Sequence, residues 1–163
     1  MIKKKICMLG TLAVGKTSLV RRFVSNTFSD KYLSTIGVKI EQRELTLNSE
    51  DLTLVLWDLH GDDQFKRLET SYLRGASGYF LVGDVTRKDS FEALKEIHLR
   101  AREALGEVPY VVLLNKVDLL GAGEELVGKD YSLIAEADAS FKTSAKTGEG
   151  VEEAMYSLAE RIV

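Results

Sequence analysis

The sequence predicts an α/β fold, a mostly parallel sheet covered by helices on both faces. Three observations lead there. Short apolar runs alternate along the chain with amphipathic stretches. Two of the runs, Tyr79-Phe80-Leu81-Val82 and Tyr110-Val111-Val112-Leu113-Leu114, are continuous, the pattern of strands buried on both sides. The first run, Ile6-Cys7-Met8-Leu9, passes at once into a glycine-bearing loop and then a helical stretch, a strand–loop–helix unit.

Each element follows in order. Residues 6–9 read as a buried strand and residues 17–24 as a helix, while the polar, punctuated segment 25–37 reads as a loop. Residues 38–47 carry many charges and read as an exposed edge strand. Asn48-Ser49-Glu50-Asp51 is a turn signal, so this strand pairs as a hairpin with the strand at 52–57. Residues 59–71 form a polar connection. The apolar run 79–82 is the next strand, and Phe91, Leu94, Ile97, Ala101 and Leu105 then recur at helical spacing. The run 110–114 and a short segment around Phe141 are the last strands. Val151, Ala154, Met155, Leu158, Ala159 and Ile162 draw one apolar stripe on a final helix.

The 163 residues fit one domain at about 150 residues each. Lys and Arg total 22 against 25 Asp and Glu, a net charge of −3, so no overall field favours nucleic acid or an anionic membrane. One cysteine, Cys7, excludes an internal disulfide and suits a reducing compartment. No run reaches about 18 apolar residues, and the lysines at 3–5 precede no long apolar segment. Residue 2 is Ile and no cysteine lies near Val163. The expectation is a cytoplasmic monomer with no direct lipid anchor.

Gly10-Thr11-Leu12-Ala13-Val14-Gly15-Lys16-Thr17 fits G-x-x-x-x-G-K-[ST] between a strand and a helix. Gly10 is expected to permit a sharp turn and Gly15 a close backbone approach to phosphate. Successive N–H groups, running through Ser18 at the helix start, offer positive charge to an anion. Lys16 adds a full charge, and the Thr17 hydroxyl is a hard ligand for Mg²⁺. This motif specifies a nucleoside triphosphate without naming the base.

Asn115-Lys116-Val117-Asp118 follows a buried strand, so it lies at that strand's carboxyl end. Guanine presents N1–H and N2–H donors side by side, and the Asp118 carboxylate can accept both. Adenine would leave a buried carboxylate unpaired. Asn115 can brace neighbouring loops, and the Lys116 stem can pack along the base. Thr143-Ser144-Ala145-Lys146 follows the last strand; its N–H groups suit the guanine O6, with Lys146 on the other ring face.

With these motifs in this order, the chain resembles a Ras-superfamily small GTPase over residues 3–163. The Rab branch is echoed by Thr27-Phe28-Ser29-Asp30-Lys31-Tyr32, Ser34-Thr35-Ile36-Gly37-Val38, Trp57-Asp58, Ser71-Tyr72-Leu73-Arg74-Gly75-Ala76 and Asp84-Val85-Thr86. The resemblance implies a P-loop NTPase G domain across 1–163, with six strands and about five helices, that binds GTP and GDP with Mg²⁺. It implies that Thr35 reaches Mg²⁺ and the γ-phosphate, that Asp58 holds the metal through water, that the Gly61 N–H contacts the γ-phosphate, and that Phe28 packs edge-on to guanine. Loops 26–40 and 59–75 would then change with the γ-phosphate and present a surface to effector and regulator proteins.

The departures fall where hydrolysis occurs. The family's D-T-A-G-Q is here Asp58-Leu59-His60-Gly61-Asp62, so a carboxylate replaces the water-orienting amide. A negative charge beside the γ-phosphate is disfavoured and donates no amide hydrogen bond. Asp62 is therefore a weak catalytic candidate beside Lys16, Thr35 and Gly61. Leu12 stands where several branches carry glycine, obstructing a partner's arginine, a group worth roughly 10³–10⁵ in rate in this superfamily. The expectation is a slowly hydrolysing switch; the competing reading is a GTP-binding interaction module that scarcely hydrolyses. A small-molecule kinase is disfavoured by the base-reading motif and by the lack of an arginine-rich lid.

Overall fold

A computed structural model describes residues 2–29, 38–59, 70–121, 124 and 132–163. Its sheet has six strands: β1 (Ile2–Leu9), β2 (Val38–Leu47), β3 (Glu50–Leu59), β4 (Gly78–Asp84), β5 (Tyr110–Asn115) and β6 (Ala139–Thr143). The helices among the described residues are α1 (Lys16–Ser25), α2 (Thr70–Leu73), α3 (Lys88–Leu105), α4 (Ser132–Glu136) and α5 (Val151–Ile162). The strand order is β2-β3-β1-β4-β5-β6, with β2 antiparallel to β3 and the other pairs parallel. From β1 the sheet grows to β3 on one side and to β4 on the other, so the order reverses at β1. In such sheets ligands bind beyond the carboxyl ends of the strands at this switch point, where the glycine-bearing loop sits.

Side-chain alternation divides the core. Ile6, Met8, Phe80, Val82, Val111 and Leu113 face α1 and α5. Cys7, Leu9, Tyr79, Leu81, Tyr110, Val112 and Leu114 face α2, α3 and α4. This period of two on doubly covered strands produces the continuous apolar runs in the sequence. α1 buries Leu19, Val20 and Phe23 and stops at Asn26, whose left-handed φ of 52° lets its N–H cap the Arg22 carbonyl. All six residues of the apolar stripe on α5 are buried, and Glu152, Glu153 and Arg161 suit its dipole.

Several elements differ from the sequence expectation. β1 begins at Ile2, not residue 6, because it pairs with β3 from Ile2↔Leu52 onward. Its first lysines line a solvated strand start, and the Lys5 ammonium lies 3.6 Å from the Trp57 ring centroid. The hairpin turn is two residues, not four: Asn48 and Ser49 both have positive φ, 50° and 69°, and Leu47 pairs with Glu50. That primed turn matches the twist of its strands. α2 and α4, of four and five residues, are too short to leave a periodic signature.

Cys7 is a core residue, as its setting in a buried run implies, and burial pushes its thiol up to about 12. On the same sheet face, Tyr79 stacks on Tyr110 at 5.5 Å and its hydroxyl lies 3.0 Å from His98 Nδ1. Burial lowers the His98 pKa, the Arg102 cation lowers it further, and Glu136 opposes them. The folded state thus binds its proton less tightly than the unfolded chain, where His titrates near 6.5. The contribution is present above that pH and is lost as pH falls toward the folded value. Urea denaturation is expected to show stability dropping between about pH 7 and 5, with a shallower drop in His98→Gln. An identical slope in the variant would contradict this.

Candidate functional site

The phosphate loop occupies residues 10–16 between β1 and α1. Ala13 and Gly15 have left-handed φ, 63° and 102°. Gly15 needs this conformation, and a Cβ there would also collide with the Asn115 amide nitrogen. The Gly10 expectation is corrected: its φ is not positive, so it makes no special turn. A Cβ on Gly10 would stand 2.6 Å from the Val82 carbonyl oxygen, and close packing on β4 is what requires glycine.

Every carbonyl from residue 10 to 14 receives a side-chain donor. Lys16 Nζ donates to the Gly10 and Thr11 oxygens at 3.1 and 3.2 Å. Arg87 Nη1 donates to Leu12 at 3.0 Å, Lys116 Nζ to Ala13 at 2.6 Å, and Asn115 Nδ2 to Val14 at 2.8 Å. The Gly15 carbonyl accepts from the Leu19 N–H of α1 at 2.9 Å. Carbonyls tied outward let the N–H groups converge on an anion, and the start of α1 adds its dipole. Lys16 is 5% exposed, a buried cation at this mouth, while Leu12 is 44% exposed.

Four strand ends surround the loop. Asp58 near the end of β3 is 1% exposed, and its Oδ2 accepts a hydrogen bond from the Thr17 hydroxyl. Two hard oxygen ligands therefore meet below the phosphate loop, a donor set that fits Mg²⁺ with phosphate and water completing the shell. At the end of β4, Asp84 accepts from the Thr86 N–H and hydroxyl at 2.9 and 2.6 Å and pairs with Lys116 Nζ at 3.0 Å. Burial would push the Asp84 carboxyl up, but the Thr86 hydrogen bonds and the Lys116 ammonium hold it below the usual carboxylate range. At the end of β5, buried Asn115 also accepts from Thr143 of β6 at 3.0 Å. It thus braces the phosphate loop against the last strand.

The base-reading candidates converge as well. Ser144 Oγ donates to Asp118 Oδ1 at 2.7 Å and accepts from the Thr147 N–H at 3.1 Å. Ser144 and Ala145 are buried and Lys146 is exposed. Asp118 is exposed in a 3₁₀ turn, Val117–Leu119. Its outer face remains open and Ser144 sets its orientation. Ser18 is half-buried on α1, and Phe28 is 36% exposed beyond the end of α1. Thr35, His60, Gly61 and Asp62, with most of loops 26–40 and 59–75, lie outside the described residues.

Two supporting residues escape motif reading. Arg22 donates to the Ala145 and Lys146 carbonyls at 2.7 and 2.6 Å and to Asn26 Oδ1 at 3.1 Å, tying the base loop to α1. In the sequence it reads as an ordinary cation near a helix C-terminus. Arg87 left a stronger signal, because it and Lys88 stand at the start of α3, where the dipole disfavours cations.

The Ras family model matches residues 5–163. Human Rab-8B is 34% identical over 161 residues, covering 98% of this chain and 78% of the relative. Rab-21 of Mus musculus is 34% identical, with 98% and 72% covered. Rab-13 of Mesocricetus auratus is 35% identical, with 98% and 79% covered. These likenesses favour the switch over the non-hydrolysing module. The chain belongs to the Ras family as a Rab-like small GTPase, a GTP-binding molecular switch that hydrolyses GTP to GDP.

Proposed function

We propose that residues 1–163 form one G domain and that a single guanine-nucleotide site spans the phosphate loop, Asn115–Asp118 and Ser144–Lys146. The observation that carries this is the convergence of the two base-reading segments through the Ser144–Asp118 hydrogen bond, with Asn115 and Lys116 of the first segment holding the Val14 and Ala13 carbonyls of the phosphate loop. Leu12, Ala13, Val14, Gly15, Lys16, Thr17 and Ser18 receive the phosphates. Asp118 accepts guanine N1–H and N2–H, Ser144 and Ala145 meet O6, and the Lys116 and Lys146 stems and Phe28 enclose the base.

Thr17 and Asp58, with Thr35, are the residues that hold Mg²⁺ in this reading, Asp58 through water. The metal supplies charge neutralisation on the β- and γ-oxygens. Lys16 leaves the Gly10 and Thr11 carbonyls to meet the same oxygens. Thr35 and Gly61 reach the γ-phosphate and transmit its loss to the two loops. Hydrolysis is slow because Asp62 brings a carboxylate where an amide would steady the attacking water. Effectors and regulators dock on loops 26–40 and 59–75. The described part of that face carries exposed Ile40 paired with Trp57, and Tyr72 of α2. Among the described residues no helix is long and apolar enough to cross a membrane. A monomer acting in the cytoplasm, without nucleic acid, completes the reading.

Two outcomes follow. Asp118→Ala removes an acceptor of two charge-assisted bonds, each about 1.5–3 kcal/mol, so calorimetry should show GDP affinity falling about 10²–10⁴-fold. ADP binding should not change; unaltered GDP affinity would refute the base assignment. In single-turnover assays, Asp62→Gln should raise the GTP hydrolysis rate about tenfold or more. A wild-type rate of about 10⁻² s⁻¹, or no gain in the variant, would remove the case for Asp62 as the brake.

A further inference from the structure

Arg87 belongs to neither nucleotide motif, yet it grips the phosphate loop. Its Nη1 donates to the Leu12 carbonyl at 3.0 Å and its Nη2 lies 3.5 Å from Thr11 Oγ1. Its position is costly in isolation: it caps the start of α3 in extended conformation and is followed by Lys88, so two cations face the positive end of the helix dipole. Asp89, 3.9 Å away and largely exposed, offsets this weakly. The turn that carries Arg87 is rigid. Its N–H donates to the Asp84 carbonyl at 2.9 Å, and its carbonyl accepts from buried Ser90 at 2.7 Å. The same Asp84 holds Lys116 on the neighbouring Ala13 carbonyl. One turn thus anchors two adjacent carbonyls of the loop through two cations.

These cations differ in what they flank. In this motif the lysine reaches the β- and γ-phosphates, and Lys16 here lies against Gly10 and Thr11. Residues 10–12 therefore mark the triphosphate end of the loop, and Asn115 and Lys116 mark the base end. Arg87 stands at the triphosphate end.

We propose that Arg87 is a positioning residue that favours GTP over GDP. It fixes the Leu12–Ala13 peptide with the Ala13 N–H turned to the opposite side, toward the phosphates, and adds a positive charge behind the loop. This rests on the reading that residues 10–17 hold the phosphates, and it adds a preference between the two nucleotides that the shared motif does not supply.

The test compares affinities of the full chain for GDP and for the non-hydrolysable triphosphate GppNHp, both with Mg²⁺, by displacement of a fluorescent GDP. Arg87→Ala should weaken GppNHp about tenfold and GDP by less than about twofold. Arg87→Lys should fall between, since an ammonium keeps the charge and loses the fork. Asp89→Ala, which removes the ion partner and touches no loop carbonyl, should leave the ratio of affinities unchanged. Equal weakening of both nucleotides by Arg87→Ala would mean general support of the loop and would overturn the proposal, as would an unchanged ratio. Wild-type protein that binds neither nucleotide would overturn the phosphate assignment itself and the role of Arg87 with it.

Discussion

The structure depends on the orientation of five consecutive peptide groups. From Gly10 to Val14 each carbonyl is held by a side chain: Gly10 and Thr11 by Lys16 at the mouth of the site, Leu12 by Arg87, Ala13 by Lys116 and Val14 by Asn115. A peptide unit turned this way must present its N–H to the opposite side, so the loop becomes a concavity of donors. Left-handed backbone at Ala13 and Gly15 makes the curvature possible. An anion supplies what the converged donors lack, which is why such a loop is built for phosphate and not for a neutral ligand. The donors tying it down are distant in sequence: Asn115 and Lys116 stand about a hundred residues away. The loop is shaped by the whole sheet.

Sheet topology brings those donors together. Because the strand order reverses at β1, the carboxyl ends of β3 and β4 flank its loop, and β5 and β6 follow on one side. Asp58, Asp84, Asn115 and Thr143 occupy these ends in a row. Asp58 sets a hard oxygen beside Thr17, and Asp84 anchors Lys116. Asn115 braces the loop, and Thr143 supports that brace. Buried polar groups of this kind are tolerated only when satisfied, and here satisfaction and function coincide. Truncating Asn115 would take a donor from the phosphate loop and an acceptor from β6 at once.

How much of this was legible in the sequence depended on range. The stripe on α5 and the buried runs of β4 and β5 followed from periodicity alone, since each element is covered as its pattern requires. The phosphate motif and the two base-reading segments were readable because their residues are contiguous. The bracing role of Asn115 was foreseen, while Arg22 and Arg87 were missed, because their partners lie 75 to 124 residues away and a lone surface cation has many uses. The first half of β1 was hidden by its lysines, whose solvated start still pairs with β3. Gly10 looked like a turn residue and proved to be a packing residue. The place of Asp118 just beyond a buried strand was legible, but not its local backbone: the chain leaves the sheet at Lys116, whose φ of 71° leads into a 3₁₀ turn.

Amide spectra of uniformly ¹⁵N-labelled protein, titrated with GDP and Mg²⁺, address the donor concavity itself. The backbone resonances of Thr11 through Thr17, which include the N–H partners of the five tethered carbonyls, should shift the most, saturating at one equivalent, with slowed hydrogen exchange in the complex. Resonances in that stretch that stay put while nucleotide binds, with the changes located elsewhere on the sheet, would contradict it.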